Sequence, residues 1–150
     1  MRALENRIPP PFLVLGLLAL QAGVISPPPS HGVVGWVVMA VSFAGAAVFG
    51  FPALAGFFRA GTTIDPVHVE RASVLVTSGI YAVSRNPMYV SLTLLLCTQA
   101  AWLGSPWAWV GPVFFVVFIT RFQIIPEERM LTDRFGDAYI DWCGRVRRWL

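Results

Sequence analysis

The sequence predicts an all-α, polytopic membrane helical bundle of about four transmembrane helices plus a C-terminal amphipathic cytoplasmic helix, and three observations carry that expectation. Ile8 to Phe58 contains no Asp, Glu, Lys or Arg, and neither does Asn86 to Thr120. A water-soluble domain does not leave such stretches without charge. Hydrophobic residues make up 56% of the 150-residue chain, a length suited to one compact bundle. Each charge-free stretch is also longer than one span and is interrupted by turn chemistry, at Ser26-Pro27-Pro28-Pro29-Ser30-His31-Gly32 and at Gly104-Ser105-Pro106.

Two helical hairpins follow, with spans over Pro11 to Ile25, Val33 to Phe58, Pro87 to Leu103 and Pro106 to Ile125. The first and third are short for a hydrocarbon layer of ~30 Å, so tilt or local thinning is expected. The proline triplets Pro9 to Pro11 and Pro27 to Pro29 mark helix boundaries. Small residues at Ala40, Ala44, Ala47, Gly50 and Ala53 to Gly56 let another helix approach the second span closely.

All eleven basic residues are arginine, and none lies in either hairpin turn; they occupy Arg2, Arg7, Arg59 to Arg85, and Arg121 onward. Basic residues concentrate on the cytoplasmic side of membrane proteins, which places both termini and the middle segment there, in an inner or cytoplasmic membrane. The competing reading of the N-terminus is a secretory signal peptide, with Arg2 and Arg7 before an apolar run and small residues near Ala22-Gly23. The turns offer only His31 as a titratable side chain, so the chemistry is expected on the cytoplasmic side.

The segment Arg59 to Arg85 is long for a connection between membrane helices, which points to a task. It closes on Leu75-Val76-Thr77-Ser78-Gly79-Ile80-Tyr81 and then Ser84-Arg85-Asn86-Pro87-Met88-Tyr89, where Asn86 is a favourable N-cap and Pro87 a natural first helical residue. Beyond Pro126-Glu127-Glu128, Leu131, Phe135, Ala138 and Trp142 recur at helical spacing opposite Asp133, Asp137 and Asp141, the pattern of an amphipathic helix that Gly136 shortens or bends. Arg145, Arg147, Arg148 and Trp149 end the chain as a basic, aromatic set suited to an anionic membrane surface.

A tight hairpin of the third and fourth spans returns Asn86 and Glu127 to one membrane face. Backbone N–H groups at the start of the third span then suit an anionic group. Glu127 or Glu128 accepts hydrogen bonds from an ammonium or from hydroxyls, and Tyr81 and Tyr89 offer aromatic faces. Such a site takes a zwitterion between apolar walls. Read blandly, Arg85 is a membrane anchor, the glutamates offset a helix dipole, and the tyrosines belong to an interfacial belt. Their clustering at one face beside a long segment favours a site.

Leu75-Val76-Thr77-Ser78-Gly79 with Tyr81, then Arg85-Asn86-Pro87-Met88-Tyr89, then Glu127-Glu128 with Phe135-Gly136 and Tyr139, resemble in content and order the isoprenylcysteine carboxyl methyltransferase family. The resemblance covers Pro66 to Arg148. It implies S-adenosylmethionine as cofactor, held by Ser73, Val74, Leu75, Val76, Tyr81, Asn86, Pro87, Met88, Tyr89 and Glu127, with Glu128 a further candidate cofactor-binding residue and the C-terminal helix closing over it. Arg85 and Arg121 are the candidate catalytic residues, and Gln123 and Arg121 the candidate acceptor-binding pair. Eukaryotic members carry His where this chain has Asn86, which keeps a hydrogen-bonding side chain. They carry an arginine that pairs with the substrate carboxylate where this chain has Gln123, so a prenylcysteine acceptor does not follow.

The expected activity is therefore methyl transfer to a small apolar or amphiphilic acceptor, by one domain over residues 1–150 with a hairpin at 1–60 and a cofactor-binding core at 61–150. The lipid bilayer is the implied partner, without nucleic acid. Cys97 and Cys143, and His31 and His68, lie too far apart along this topology to suggest a disulfide or a metal site. Two other readings stand beside it. Membrane sterol reductases share a similar helix start that serves a nicotinamide cofactor, but this chain has Ile80-Tyr81 before the motif and Ser91-Leu92 after it, where those enzymes carry Trp-Trp and a Gly-acid pair. A non-catalytic membrane scaffold is the third.

Overall fold

The computed structural model describes residues 8–28, 30–60 and 75–150, and every regular element among them is helical. Helix α1 spans Pro10–Val24 and α2 spans Val33–Ala60. A 3₁₀ turn at Gly79–Ala82 precedes α3, Pro87–Leu103, and another at Pro106–Trp109 leads into α4, Val110–Ile119. A π-helical turn over Thr120–Ile124 joins α4 to α5, Ile125–Phe135, and α6 covers Asp137–Arg145.

Two stretches, Val33–Gly56 and Pro106–Phe135, are long and apolar enough to cross a membrane; Pro10–Val24 and Pro87–Leu103 are apolar but shorter. At 1.5 Å per residue the shorter pair reach only ~22–26 Å. The outer faces are apolar, as lipid-facing helices require: on α2, Val41 and Phe51 are 67% and 73% exposed.

Helix α3 lies at the centre, packed along α2 and also against α1 and α4. Its contact with α2 depends on small residues. The Ser91 hydroxyl donates to the Ala46 carbonyl at 2.7 Å, and a Cβ at Gly50 would lie 2.6 Å from Ser91 Oγ. The expected small-residue face is packed in its second half, at Gly50, Ala53 and Gly56, whereas Ala40 and Ala44 face outward; in the first half Met39, Ser42 and Ala46 are the buried residues, and a Cβ at Gly45 would lie 3.1 Å from Leu94 of α3.

The two hairpin turns meet at one end of the bundle. Gly104 ends α3 in the left-handed conformation (φ 61°), its N–H reaching the Ala100 and Ala101 carbonyls, and a Cβ there would sit 3.0 Å from Pro28. Ile25 packs on Ala100, Leu103 and Ala108, and the His31 ring lies 5.0 Å from that of Trp102.

The opposite end departs from expectation in two ways. The fourth apolar helix does not stop at Ile125 but continues through the π turn to Phe135. Pro126 has no N–H to donate to Phe122, and its ring crowds that carbonyl, so the turn before it widens and the Ile125 N–H bonds to Thr120. The C-terminal amphipathic segment is two helices, not one. Gly136, at φ 52° and ψ −129°, breaks it in a conformation that suits glycine, which leaves Ala138 exposed and turns Tyr139, Trp142 and Val146 inward.

Candidate active site

The residues that the sequence marks as chemical collect where α3 begins, α5 begins and the chain ends. Tyr89, one turn into α3, donates its hydroxyl to Glu127 Oε1 at 2.7 Å. Gln123, on the π turn and 3% exposed, donates its Nε2 to the same oxygen at 2.7 Å. Glu127 is thus held from two elements, as the expected closeness of the third and fourth helices requires.

Glu128 points elsewhere. It accepts from Arg148 Nε at 3.0 Å and Nη2 at 2.7 Å, and its Oε1 lies 3.2 Å from Arg85 Nη1. Arg85 also donates to the Cys143 sulfur, while its buried Nε has no partner. The two adjacent glutamates therefore serve different purposes: Glu127 faces the α3 tyrosine, and Glu128 fastens the C-terminal tail.

That tail runs across the start of α3. The Arg85 N–H donates to the Arg147 carbonyl and Asn86 Nδ2 donates to the Arg148 carbonyl, both at 3.0 Å. The expected side-chain N-cap is absent: Asn86 occupies the N-cap position of α3, but its side chain is turned toward the tail and its oxygen caps no helix N–H. The backbone N–H of Asn86 goes to Ser84 Oγ and that of Tyr89 to the Asn86 carbonyl, so the helix start is less open to an anion than the sequence implies. Trp149 reaches the cluster of Val14, Tyr89, Leu96, Phe115, Ile119 and Ile124.

Apolar walls complete the site. Leu75, Val76, Ile80, Tyr81 and Met88 pack with Ala53 of α2 and with Tyr139, Trp142 and Val146. Trp142 Nε1 donates to the Tyr81 carbonyl at 3.2 Å, and Tyr81 lies over Gly56, where a Cβ would be 3.5 Å from its ring. Burial, reinforced by the charge of Glu127, pushes the Tyr81 phenol above its ordinary value, so it stays protonated. Burial does the same at Tyr139, helped by its contact with Cys143. The hydrogen bond to Glu128 raises Arg148 and keeps it charged.

Of the residues expected to hold a cofactor, Leu75, Val76, Tyr81 and Met88 thus share one apolar cluster, Tyr89 and Glu127 share a hydrogen bond, and Pro87 is buried at the start of α3. Ser73 and Val74 lie outside the described residues. Arg121 is half-buried on the π turn, its guanidinium 5.5 Å from the Phe122 ring centroid. Sequence reasoning missed Arg148 and Cys143 as partners of Glu128 and Arg85, and Trp142 as a support for Tyr81. Nothing in their spacing signals these contacts; only Tyr139, through its place in the Phe135-Gly136 motif, was in view. Among the described residues no cluster of His, Cys, Asp and Glu is arranged to hold a metal ion.

The family model for phospholipid methyltransferases matches residues 31–138. An uncharacterized protein of Haemophilus influenzae is 46% identical over 63 residues, which is 42% of this chain and all of that protein. Protein-S-isoprenylcysteine O-methyltransferase B of Arabidopsis thaliana is 30% identical over 91 residues, 59% of this chain and 45% of that protein, so the chain spans less than half the length of this plant relative. No solved structure matches. The plant relative and the family match agree with the resemblance carried by the Leu75-to-Gly79, Arg85-to-Tyr89 and Glu127-Glu128 motifs.

Proposed function

The chain belongs to the phospholipid methyltransferase family, and from that premise we propose that it transfers a methyl group from S-adenosylmethionine to a small apolar or amphiphilic acceptor at the cytoplasmic face of a membrane. The observation that carries this reading is the convergence of Tyr89 and Gln123 on Glu127 beside the apolar wall of Leu75, Val76, Tyr81 and Met88.

The donor set suits the cofactor. Glu127 is a carboxylate acceptor for an ammonium or for ribose hydroxyls, and Tyr81 and Tyr89 supply aromatic surface next to it. Ser73 and Val74 are proposed to contact the cofactor as well. S-adenosylmethionine, when bound, supplies a methyl group already activated on a sulfonium, so the protein has mainly to orient the reactants and exclude water. Tyr139, Trp142 and the tail tied down by Glu128 serve the second purpose. Arg85, expected to be catalytic, is better supported as the group that fixes Glu128 and the tail at the start of α3. Arg121 is retained on the acceptor side.

In this reading α1, α2, α3 and the α4 helix all span the bilayer, and α6 is the amphipathic helix that closes the cytoplasmic side of a single domain covering residues 1–150. The acceptor enters from the lipid and the cofactor from the cytoplasm. Thermal unfolding with S-adenosylhomocysteine is the test: at 100 times its dissociation constant the ligand stabilises by about 2.7 kcal/mol. A shift with S-adenosylhomocysteine and none with NADPH supports the methyltransferase. A shift with NADPH alone identifies a reductase, and none with either leaves a scaffold.

A further inference from the structure

We propose that Gln123 is a positioning residue for Glu127: with Tyr89 it fixes one oxygen of the carboxylate so that the other is presented to the bound ligand. This rests on the methyltransferase reading of the site and adds a role for a residue expected on the acceptor side.

The terminal torsion of a glutamate is broad, so an unrestrained carboxylate samples many orientations. Here two donors from different elements, the Tyr89 hydroxyl on α3 and the Gln123 amide on the π turn, converge on Oε1 at 2.7 Å each. Two bonds to one oxygen set the carboxylate plane and leave Oε2, to which none of the described residues donates. The arrangement is built into the local structure. Gln123 and Glu127 are four residues apart, which brings them to one side of the helix. The π turn that Pro126 imposes just before α5 holds Gln123 in the interior at 3% exposure, where its rotamer is constrained by packing.

The choice of glutamine has a chemical consequence. A neutral donor orients Glu127 without supplying a counter-charge, and burial pushes the Glu127 carboxyl up to about 7, so its full negative charge develops when a cation binds beside it. The group recognised is therefore a cation or a hydroxyl donor, as the ammonium and ribose of the proposed cofactor provide, and an acceptor carboxylate close to Glu127 is repelled.

The test is a double-mutant cycle on the full-length protein in nanodiscs, with S-adenosylhomocysteine affinity read by calorimetry for wild type, Gln123→Met, Glu127→Gln and the double variant. Gln123→Met is expected to weaken binding about tenfold in the wild-type background and to have almost no effect once Glu127 is Gln. A second arm exchanges the partners, Gln123→Glu with Glu127→Gln. Because the new amide can donate back to the new carboxylate, this pair regains thermal stability but not affinity, whereas a merely structural role moves both together. Losses that multiply, or affinity that returns with stability in the exchanged pair, overturn the proposal while leaving the methyltransferase reading intact. Wild-type protein that does not bind S-adenosylhomocysteine overturns the methyltransferase reading and this proposal with it.

Discussion

Glu127 and Glu128 are neighbours of the same type, yet their amide variants are expected to fail in opposite ways. Glu128 accepts two hydrogen bonds from Arg148 and lies 3.2 Å from Arg85, with the Glu128, Arg85 and Arg148 side chains 18%, 14% and 39% exposed. Glu128→Gln leaves Arg85, itself largely buried, facing a neutral amide. Removing one partner of a fully buried pair costs about 3–5 kcal/mol, and the partial exposure of Arg148 brings the expected loss to about 2–3 kcal/mol. For a chain of this size that lowers Tm by roughly 4–12 °C. Ligand affinity should change little by comparison. In Glu127→Gln the amide oxygen still accepts from Tyr89 and Gln123, so stability is largely kept. The charge offered to the ligand is gone, however, at a cost of about 1.5–3 kcal/mol, or roughly 10–150-fold in Kd. Scanning fluorimetry and calorimetry with S-adenosylhomocysteine on both variants decide the matter. If Glu128→Gln weakens binding as much as Glu127→Gln, or if Glu127→Gln lowers Tm at unchanged affinity, the division of labour between the two glutamates is wrong.

Topology is checked by labelling: in a background lacking Cys97 and Cys143, Ser30→Cys is expected to react with an impermeant maleimide from outside intact cells, and protection there with reaction at either terminus would invert the orientation. Gly50→Leu is expected to destabilise the α2–α3 contact by about 1–3 kcal/mol, since the added side chain starts 2.6 Å from Ser91 Oγ; Ser91→Gly should restore part of the loss in thermal unfolding, and an unchanged Tm for Gly50→Leu would contradict this packing. A farnesylcysteine analogue is expected to be a poor acceptor in a labelled-methyl assay, because Gln123 is neutral and already donates to Glu127. Robust turnover that survives Gln123→Arg but disappears in Arg121→Ala would transfer the acceptor role to Arg121.

Much of this was legible in the sequence, for a definite reason. Charge cannot be buried in hydrocarbon without heavy cost, so the absence of charge from Ile8 to Phe58 and from Asn86 to Thr120 marks where the apolar helices run. Proline and glycine announce their own positions. Pro87 begins α3 and Gly104 ends it, both read from backbone chemistry that does not depend on the rest of the molecule. The expected return of Asn86 and Glu127 to one face followed from the same logic, since a short turn at Gly104-Ser105 obliges the third and fourth helices to return together, but it is Tyr89 that bonds Glu127 while Asn86 bonds the tail.

Periodicity and spacing were weaker guides wherever a side chain had a choice of partner. Of the small residues of α2 marked by their spacing, Gly50 and Ala53 lie at the packed face while Ala40 and Ala44 do not, because close approach depends on what the opposing helix presents. Asn86 is well suited to cap its own helix, but its side chain is turned toward the tail that arrives 62 residues later, where Nδ2 donates to the Arg148 carbonyl. Arg148 had the look of a membrane-surface charge and is the bidentate partner of Glu128.

By itself, then, the sequence determined the helical class, the helix limits set by proline and glycine, and the residues that gather at one end of the bundle, all of which follow from solvation and backbone preference acting locally. Tertiary structure alone decided that Glu128 fastens the tail, which of the small residues of α2 are packed, and that Gln123 donates to Glu127. Those outcomes depend on hydrogen bonds between residues far apart in the chain, and the strength of such a bond lies in the distance and direction between partners rather than in the identity of either one.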